Sequence, residues 1–260
     1  MSHTPPVVLV IAGHDPSGGA GITADIQAVT ANGAHPATVI TALTVQDTAD
    51  VHAIEPVTTA LVRDQIDVLV KDLDIAAVKI GLLATAGIAR CVSEALDHLD
   101  GVPVVVDPVL VAAGGGRLAR DDLLDVLKEE LVPRATVLTP NAHEIRALVP
   151  ESDDPIANAT RLVGNGADYV LVKGGDENTA DVRNILVARE GVAREWVWPR
   201  LKGRFHGSGC TLASAIAALL ARGSNVEDAV AEAQQYTHRT LGQAFVPGHG
   251  RAIPSRGACD

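Results

Sequence analysis

Val7 to Ala12 is an unbroken apolar run, most of it β-branched. A run of that length with no polar face predicts a strand covered on both sides, as in a parallel sheet. Comparable segments recur at Ala37–Leu43, Ala76–Ile80, Val102–Val106, Ala135–Leu138 and Tyr169–Val172. Between them the apolar positions take helical spacing, over 22–32, 58–72, 85–98 and 121–131, with helical stretches following His143 to about Gly166. Val51–Val57 predicts a short strand whose Pro56 marks an edge or a terminus. Residues 181–198 predict two antiparallel strands meeting near Glu190-Gly191, and 207–222 and 226–243 predict the last two helices. This alternation predicts an α/β fold in three layers (αβα): an open, mainly parallel central sheet with helices on both faces. No repeat or break in composition divides the chain, so residues 1–260 are expected to form one domain, with a mobile Pro/Gly-rich tail over about 247–260.

Composition narrows the picture. Hydrophobic residues make up 47% of the chain but aromatics only 2%, so the core must be built from Val, Leu, Ile and Ala. A net charge of −11 argues against sequence-independent nucleic-acid binding, which needs a basic face. It does not argue against an anionic ligand, because backbone dipoles act locally. The three cysteines, Cys91, Cys210 and Cys259, form no CxxC pair, which points to a reducing compartment without disulfide framework or structural zinc. No basic region precedes the first apolar run, and that run is too short for a signal sequence or a membrane span. A soluble, cytoplasmic protein is expected.

The polar residues gather at the ends of the strands: His14 and Asp15, Gln46, Lys79 to Gly81 within and after another, Asp107, Asn141 and Glu144, then Lys173. In an open parallel sheet the carboxyl ends of the strands line one crevice. Gly207-Ser208-Gly209-Cys210 then opens directly onto a helix. The first amides of a helix have no partner within it and attract anions, and glycine lets a ligand approach the backbone. Two carboxylates beside such a loop suggest Mg²⁺ together with phosphate. No G-x-x-x-x-G-K-[ST] or G-x-S-x-G motif is present. Gly19-Ala20-Gly21-Ile22-Thr23-Ala24 fits the dinucleotide pattern G-x-G-x-x-A, but the loop after Ala12 is too long for that fingerprint's tight turn. Cys210 and His206 suggest a thiol hydrolase only weakly, since no third orienting group is evident.

Seven ordered blocks carry a more specific likeness: Ile11-Ala12-Gly13 with Asp15 to Ile22, Ala24 and Asp25; Thr41 to Thr44 with Gln46 and Thr48; Lys79 to Leu83; Val105 to Val109; Leu138 to Asn141 with Glu144; Val172 to Gly175; and His206 to Leu212. The chain resembles the hydroxymethylpyrimidine/phosphomethylpyrimidine kinases of thiamine biosynthesis, within the ribokinase-like superfamily. The resemblance implies ATP as co-substrate, Mg²⁺ as cofactor and a homodimer. It assigns the pyrimidine to Gly13, Asp25, Gln46, Leu82 and Val109, and Mg²⁺ to Asp107 and Glu144. The nucleotide falls to Lys173, Asn141 and Gly209, and the anion hole at the transferred phosphate to Gly207, Ser208, Gly209 and Cys210. Cys210 is the implied base, its thiol acidified by the helix N-terminus. Departures from the family pattern are His14 for a commoner Ser, Ser208 for Thr, Leu82 for Met, and Arg204-Phe205 before the His. The implied reaction is ATP-dependent phosphorylation of the hydroxymethylpyrimidine alcohol and then of its monophosphate. Pyridoxal kinase, a catalytically silent pyrimidine sensor and a nicotinamide oxidoreductase stand as alternatives.

Overall fold

The computed structural model describes residues 4–110 and 121–257, with Asp121 described by its backbone alone. Nine strands join one sheet: β1 (Val7–His14), β2 (His35–Gln46), β3 (Val51–Pro56), β4 (Ile75–Ile80), β5 (Val104–Val106), β6 (Val137–Leu138), β7 (Tyr169–Lys173), β8 (Asp181–Ala188) and β9 (Gly191–Pro199). Their spatial order is β3-β2-β1-β4-β5-β6-β7-β8-β9. The six strands from β2 to β7 run parallel, and β3, β8 and β9 are antiparallel additions at the two edges.

Strand alternation divides the core into two layers. On β1, Leu9 and Ile11 face one side while Val8, Val10 and Ala12 face the other. The first side is covered by α2 (Thr59–Asp72), α3 (Ala86–Leu96), α4 (Asp121–Val126), α5 (Ala142–Leu148) and α6 (Pro155–Gly164). The second is covered by α1 (Gly21–Ala31), α7 (Ser208–Ala221) and α8 (Val226–Gly242). Each fully buried Val, Leu or Ile contributes about 1.5–3 kcal/mol, so the aliphatic layers supply the main driving force for the three-layer arrangement. Most helices start on a capping side chain: Thr58, Thr85, Asn141, Asp154 and Asn225 each accept a first-turn amide. Helices α1 and α7 do not.

Three local features differ from expectation. Thr44, Val45 and Gln46, beyond the Ala37–Leu43 segment expected as strand, extend β2, because β3 pairs with them as Thr44↔Ile54, Val45↔Ala53 and Gln46↔Val51. The helix expected over 121–131 is α-helical only to Val126; it loosens to a π turn over Leu127–Leu131 and tightens to a 3₁₀ turn over Val132–Arg134. Pro133 lacks the N–H that a continuing α-helix needs. The tail expected to be mobile is docked through Gly257. Phe245 bridges Ile253, Phe205 bridges Ala252, and Arg256 is buried at 3% exposure. Cys259 lies outside the described residues. Among the described residues no helix is long and apolar enough to cross a membrane.

Candidate active site

The loop between β1 and α1 is organised by Asp15, which is buried. Its carboxylate accepts the Ser17 amide (2.8 Å), the Ser17 hydroxyl (3.0 Å) and the Ala20 amide (2.8 Å), and it meets His206 Nε2 at 2.8 Å. Burial pushes the Asp15 pKa up, but these donors, His206 foremost, bring it below the ordinary carboxylate value. His206 Nε2 also lies 2.8 Å from the Gln46 amide. A carboxylate only accepts, so Nε2 carries a proton, and the Gln46 atom facing it is the oxygen. Thr44 supports that assignment. Its hydroxyl proton goes to His14 O at 2.9 Å, so it accepts from the Gln46 NH₂, 3.2 Å away. Glycine is required where the loop meets its surroundings. A Cβ on Gly19 would lie 2.2 Å from the His206 ring, and one on Gly21 (φ +57°) would lie 2.3 Å from Gly13 O.

Gly207 stands at φ +79° as the N-cap of α7, and a Cβ there would lie 1.9 Å from Gly19 O. The two glycine loops therefore pack backbone to backbone. Helix α7 starts at Ser208 and α1 at Gly21, neither with a side-chain cap nor an acidic residue in its first turn. Both N-termini open on one cavity of 660 Å³, which Gly21, Gly207, Ser208, Gly209 and Cys210 help to line. Two uncapped N-termini on one cavity leave first-turn amides and positive dipole ends for an anionic guest.

Charge gathers opposite them. Lys173 Nζ, at the end of β7, lies 2.8 Å from Asp107 Oδ1 and 3.9 Å from Glu144 Oε2. Thr139 donates to the same Asp107 oxygen at 3.2 Å. Burial would raise Asp107, yet Lys173 and then Lys79 hold it below its ordinary value. Glu144 is pushed up to about 7, by burial first and by Asp107 against the pull of Lys173. Lys173 stays above its ordinary value because the two carboxylates outweigh burial. Asn141 and Glu144 form a reciprocal capping box on α5: Asn141 Oδ1 accepts the Glu144 amide (2.9 Å), and Glu144 Oε2 accepts the Asn141 amide (2.8 Å).

A second cavity of 540 Å³ adjoins the first, and Lys173, Gly175, Ser208 and Gly209 line both. Trp198, Leu212, His238 and Leu241 give the second one apolar and aromatic walls. The region is thus two chambers joined at the α7 N-terminus and Lys173.

Most residues singled out in the sequence meet here. Gly13, Gln46, Leu82, Val109, Asp107, Asn141, Glu144, Lys173 and Gly207–Cys210 all line the larger cavity, as does His14. Asn141 reaches only that cavity, whereas Lys173 and Gly209 reach both. Asp25 departs from expectation. It is fully buried on α1, with both oxygens 2.9 Å from Lys79 Nζ and Oδ1 2.7 Å from Ser214 Oγ, and it does not line the cavity. A carboxylate equidistant from one ammonium is a buried ion pair, so its partner is Lys79, not a substrate. Burial pushes Asp25 up, while the attraction of Asp25 carries Lys79 above its ordinary value despite burial.

Cys210 also differs from expectation. Burial pushes its thiol up to about 11, although Lys79 pulls the other way. The Gly21 amide also draws the thiol down, and Cys210 is half-buried at the cavity wall, so the net direction is opposite to the acidification expected from its place on the helix. Two features escaped the sequence reading. The Asp15–His206 pair joins residues 191 positions apart, and Arg256 lay in the segment read as a loose tail.

Residues 15–255 match the family model described as phosphomethylpyrimidine kinase. A hydroxymethylpyrimidine/phosphomethylpyrimidine kinase of Rhizobium meliloti (strain 1021) is 38% identical over 243 residues, covering 92% of this chain and 91% of the relative. Among solved structures, phosphomethylpyrimidine kinase from Clostridium difficile 630 is 32% identical with a TM-score of 0.79, covering 91% of this chain and 99% of that one. An ADP complex of Bacillus subtilis pyridoxal kinase is 27% identical with a TM-score of 0.90, covering 97% and 98%. The two solved structures share this chain's fold, and the family match spans residues of both glycine loops and the charge cluster. The chain belongs to the phosphomethylpyrimidine kinase family.

Proposed function

We propose that this protein transfers the γ-phosphoryl group of ATP to 4-amino-5-hydroxymethyl-2-methylpyrimidine, and then a second one to the resulting monophosphate, in thiamine biosynthesis. The observation that carries this reading is the pair of uncapped helix N-termini facing the Lys173–Asp107–Glu144 cluster across one cavity. Phosphoryl transfer asks for positioning and charge neutralisation more than for covalent chemistry. We place the nucleotide in the 540 Å³ chamber and the pyrimidine in the 660 Å³ chamber, with the transferred phosphate at Ser208–Gly209 where the two meet. The amides of Ser208, Gly209 and Cys210 hold the charge that develops there, a contribution of about 3–4 kcal/mol per well-aimed donor. Leu82 and Val109 wall the acceptor, and Gln46, held by His206, turns its remaining N–H toward it.

The donor set suits Mg²⁺. Both bonds to Asp107 fall on Oδ1 and the Asn141 bond to Glu144 falls on Oε2, so each carboxylate has another oxygen to offer. Among the described residues no cluster of three or more His, Cys, Asp or Glu is arranged to hold a metal. That fits an ion held by one or two carboxylates together with phosphate and water. Bound there, Mg²⁺ would neutralise phosphate oxygens. Lys173 serves the same charge from the protein side, and Glu144, with its elevated pKa, is the carboxylate that most lacks a counter-charge.

A homodimer is the assembly we propose. The projecting end of β2 leaves Leu43 and Val45 exposed, and sedimentation at graded concentration tests whether they are covered by a second copy. For the activity, ADP release should be followed with hydroxymethylpyrimidine, its monophosphate and pyridoxal in parallel. Turnover with both pyrimidines supports the proposal. Turnover with pyridoxal alone would favour the pyridoxal kinase reading, which the higher TM-score to the Bacillus subtilis enzyme motivates. Binding of the pyrimidine without turnover would make the protein a sensor.

A further inference from the structure

Arg256 is 3% exposed, and none of the acceptors of its guanidinium is a carboxylate. A guanidinium has five N–H groups, and here they meet five different acceptors. Nε donates to Thr211 Oγ1 at 2.7 Å, and Nη1 to Gln27 Oε1 at 3.2 Å and Gly18 O at 3.4 Å. Nη2 donates to Gly19 O and, at 3.5 Å, to Gly207 O. With every donor engaged, Arg256 has none left for a ligand. What it holds is backbone, on both glycine loops at once. Tyr236 in turn holds the Arg256 carbonyl at 3.1 Å, and Ser255 N bonds Thr240 O at 3.0 Å, so the arginine is anchored to α8.

In a planar trans peptide the C=O and the following N–H point in opposite directions. Gly207 O also accepts the Thr211 amide (3.0 Å) and the Thr211 hydroxyl (2.8 Å) whose oxygen Arg256 Nε holds, so Arg256, directly and through Thr211, helps turn the Ser208 amide, the first of α7, away from it. Holding Gly19 O does the same for the Ala20 amide, which donates to Asp15 Oδ2 at 2.8 Å. That oxygen meets His206, and His206 meets Gln46, each at 2.8 Å. We propose that Arg256 is a positioning residue for phosphoryl transfer: one buried guanidinium sets both the anion-holding amide of α7 and, through Asp15 and His206, the orientation of Gln46. Its positive charge, with no carboxylate among its hydrogen-bond acceptors, also lies behind the anion loop. This role rests on the kinase reading above and adds to it a residue from the C-terminal segment.

The test uses the full chain with Arg256→Ala and Arg256→Lys. Arg256→Ala should lower kcat about a hundredfold, the scale of a misplaced catalytic geometry, with KM for ATP within about twofold. Free guanidinium chloride, far below denaturing concentrations, should restore much of the lost turnover in Arg256→Ala and none in the unchanged protein. Arg256→Lys, which keeps the charge but not the fork, should fall between. Amide hydrogen exchange gives a readout independent of turnover: in Arg256→Ala it should accelerate over residues 15–21 and 204–211 and stay unchanged in the central strands. A folded Arg256→Ala protein with native kcat and native exchange in both loops would overturn the proposal. So would a loss of turnover that tracks the unfolded fraction and does not respond to guanidinium. If the unchanged protein turns over no substrate, the kinase reading fails separately, and the exchange measurement still decides whether Arg256 holds the two loops.

Discussion

Glu144 holds its proton to higher pH than an exposed glutamate. Burial, with Asp107 beside it, pushes its pKa up from the ordinary 4.5 to about 7 against the pull of Lys173. Between those two values the folded chain binds more protons than the unfolded chain at this position. Its contribution to stability is therefore complete below the ordinary value and is lost as pH rises through about 7. Glu144→Gln keeps the capping geometry, since glutamine also serves at that position of the box. The urea midpoint of the ligand-free protein, compared between about pH 5 and about pH 8, should fall with pH by less in Glu144→Gln than in the native chain. Equal falls in the two proteins would show that Glu144 is not the titrating group. Cys210 presents the opposite case, a group protonated when its proposed task would have it bare. With burial pushing the thiol up to about 11, we expect proton removal to accompany transfer rather than precede it. In a loose transition state that late proton matters little, so Cys210→Ala should lower kcat by about a hundredfold at most, the low end for general-base catalysis, and leave ATP affinity unchanged. A loss approaching ten-thousandfold would restore Cys210 as a full base.

At the scale of elements, the buried Asp25–Lys79 pair joins α1 to β4, and Ser214 adds α7. Lys79 stands in the sheet between Val10 and Val105, both aliphatic, with its ammonium on Asp25 at the floor of the cavity. Removing its partner leaves a buried ammonium without its counter-charge. Asp25→Ala should cost about 3–5 kcal/mol in equilibrium unfolding, the range for breaking a buried pair from one side. A cost under about 1 kcal/mol would mean that Lys79 escapes to the cavity instead. This pair also marks a boundary of what the sequence discloses. The strands were readable because unbroken Val/Ile/Leu runs have one physical use, and the glycine loop before α7 was readable because small polar residues ahead of helix formers have few. The resemblance alone assigns Asp25 to the substrate, and nothing local reveals the ion pair, because its partner is 54 residues away and on another element. The extension of β2 to Gln46 was missed for the same reason: β3, not β2's own composition, keeps Thr44 to Gln46 extended.

For the whole molecule, the placement of the site followed from topology. In a parallel sheet the residues after each strand share one edge, and Asp107, Asn141 and Lys173 were found together there as that rule requires. Arg256 followed from nothing local. A single arginine among Pro, Ser and Gly carries no periodicity, and only the assembled fold brings it to Gly18 and Gly19.

That last contact spans 237 residues, His206 to Asp15 spans 191 and Ser214 to Asp25 spans 189. The sheet, by contrast, grows largely from neighbouring βα units. Closing the longest loops costs the most chain entropy and is rewarded only once both ends are already structured. The chemistry of this protein therefore belongs to the last stage of its folding. After dilution from denaturant, far-ultraviolet circular dichroism should recover in a faster phase than phosphotransfer activity, with activity returning as the α1 and α7 loops meet. Simultaneous recovery would mean that the two glycine loops find each other as early as the strands do. A chain caught between those stages would have its sheet and its helices, and no enzyme.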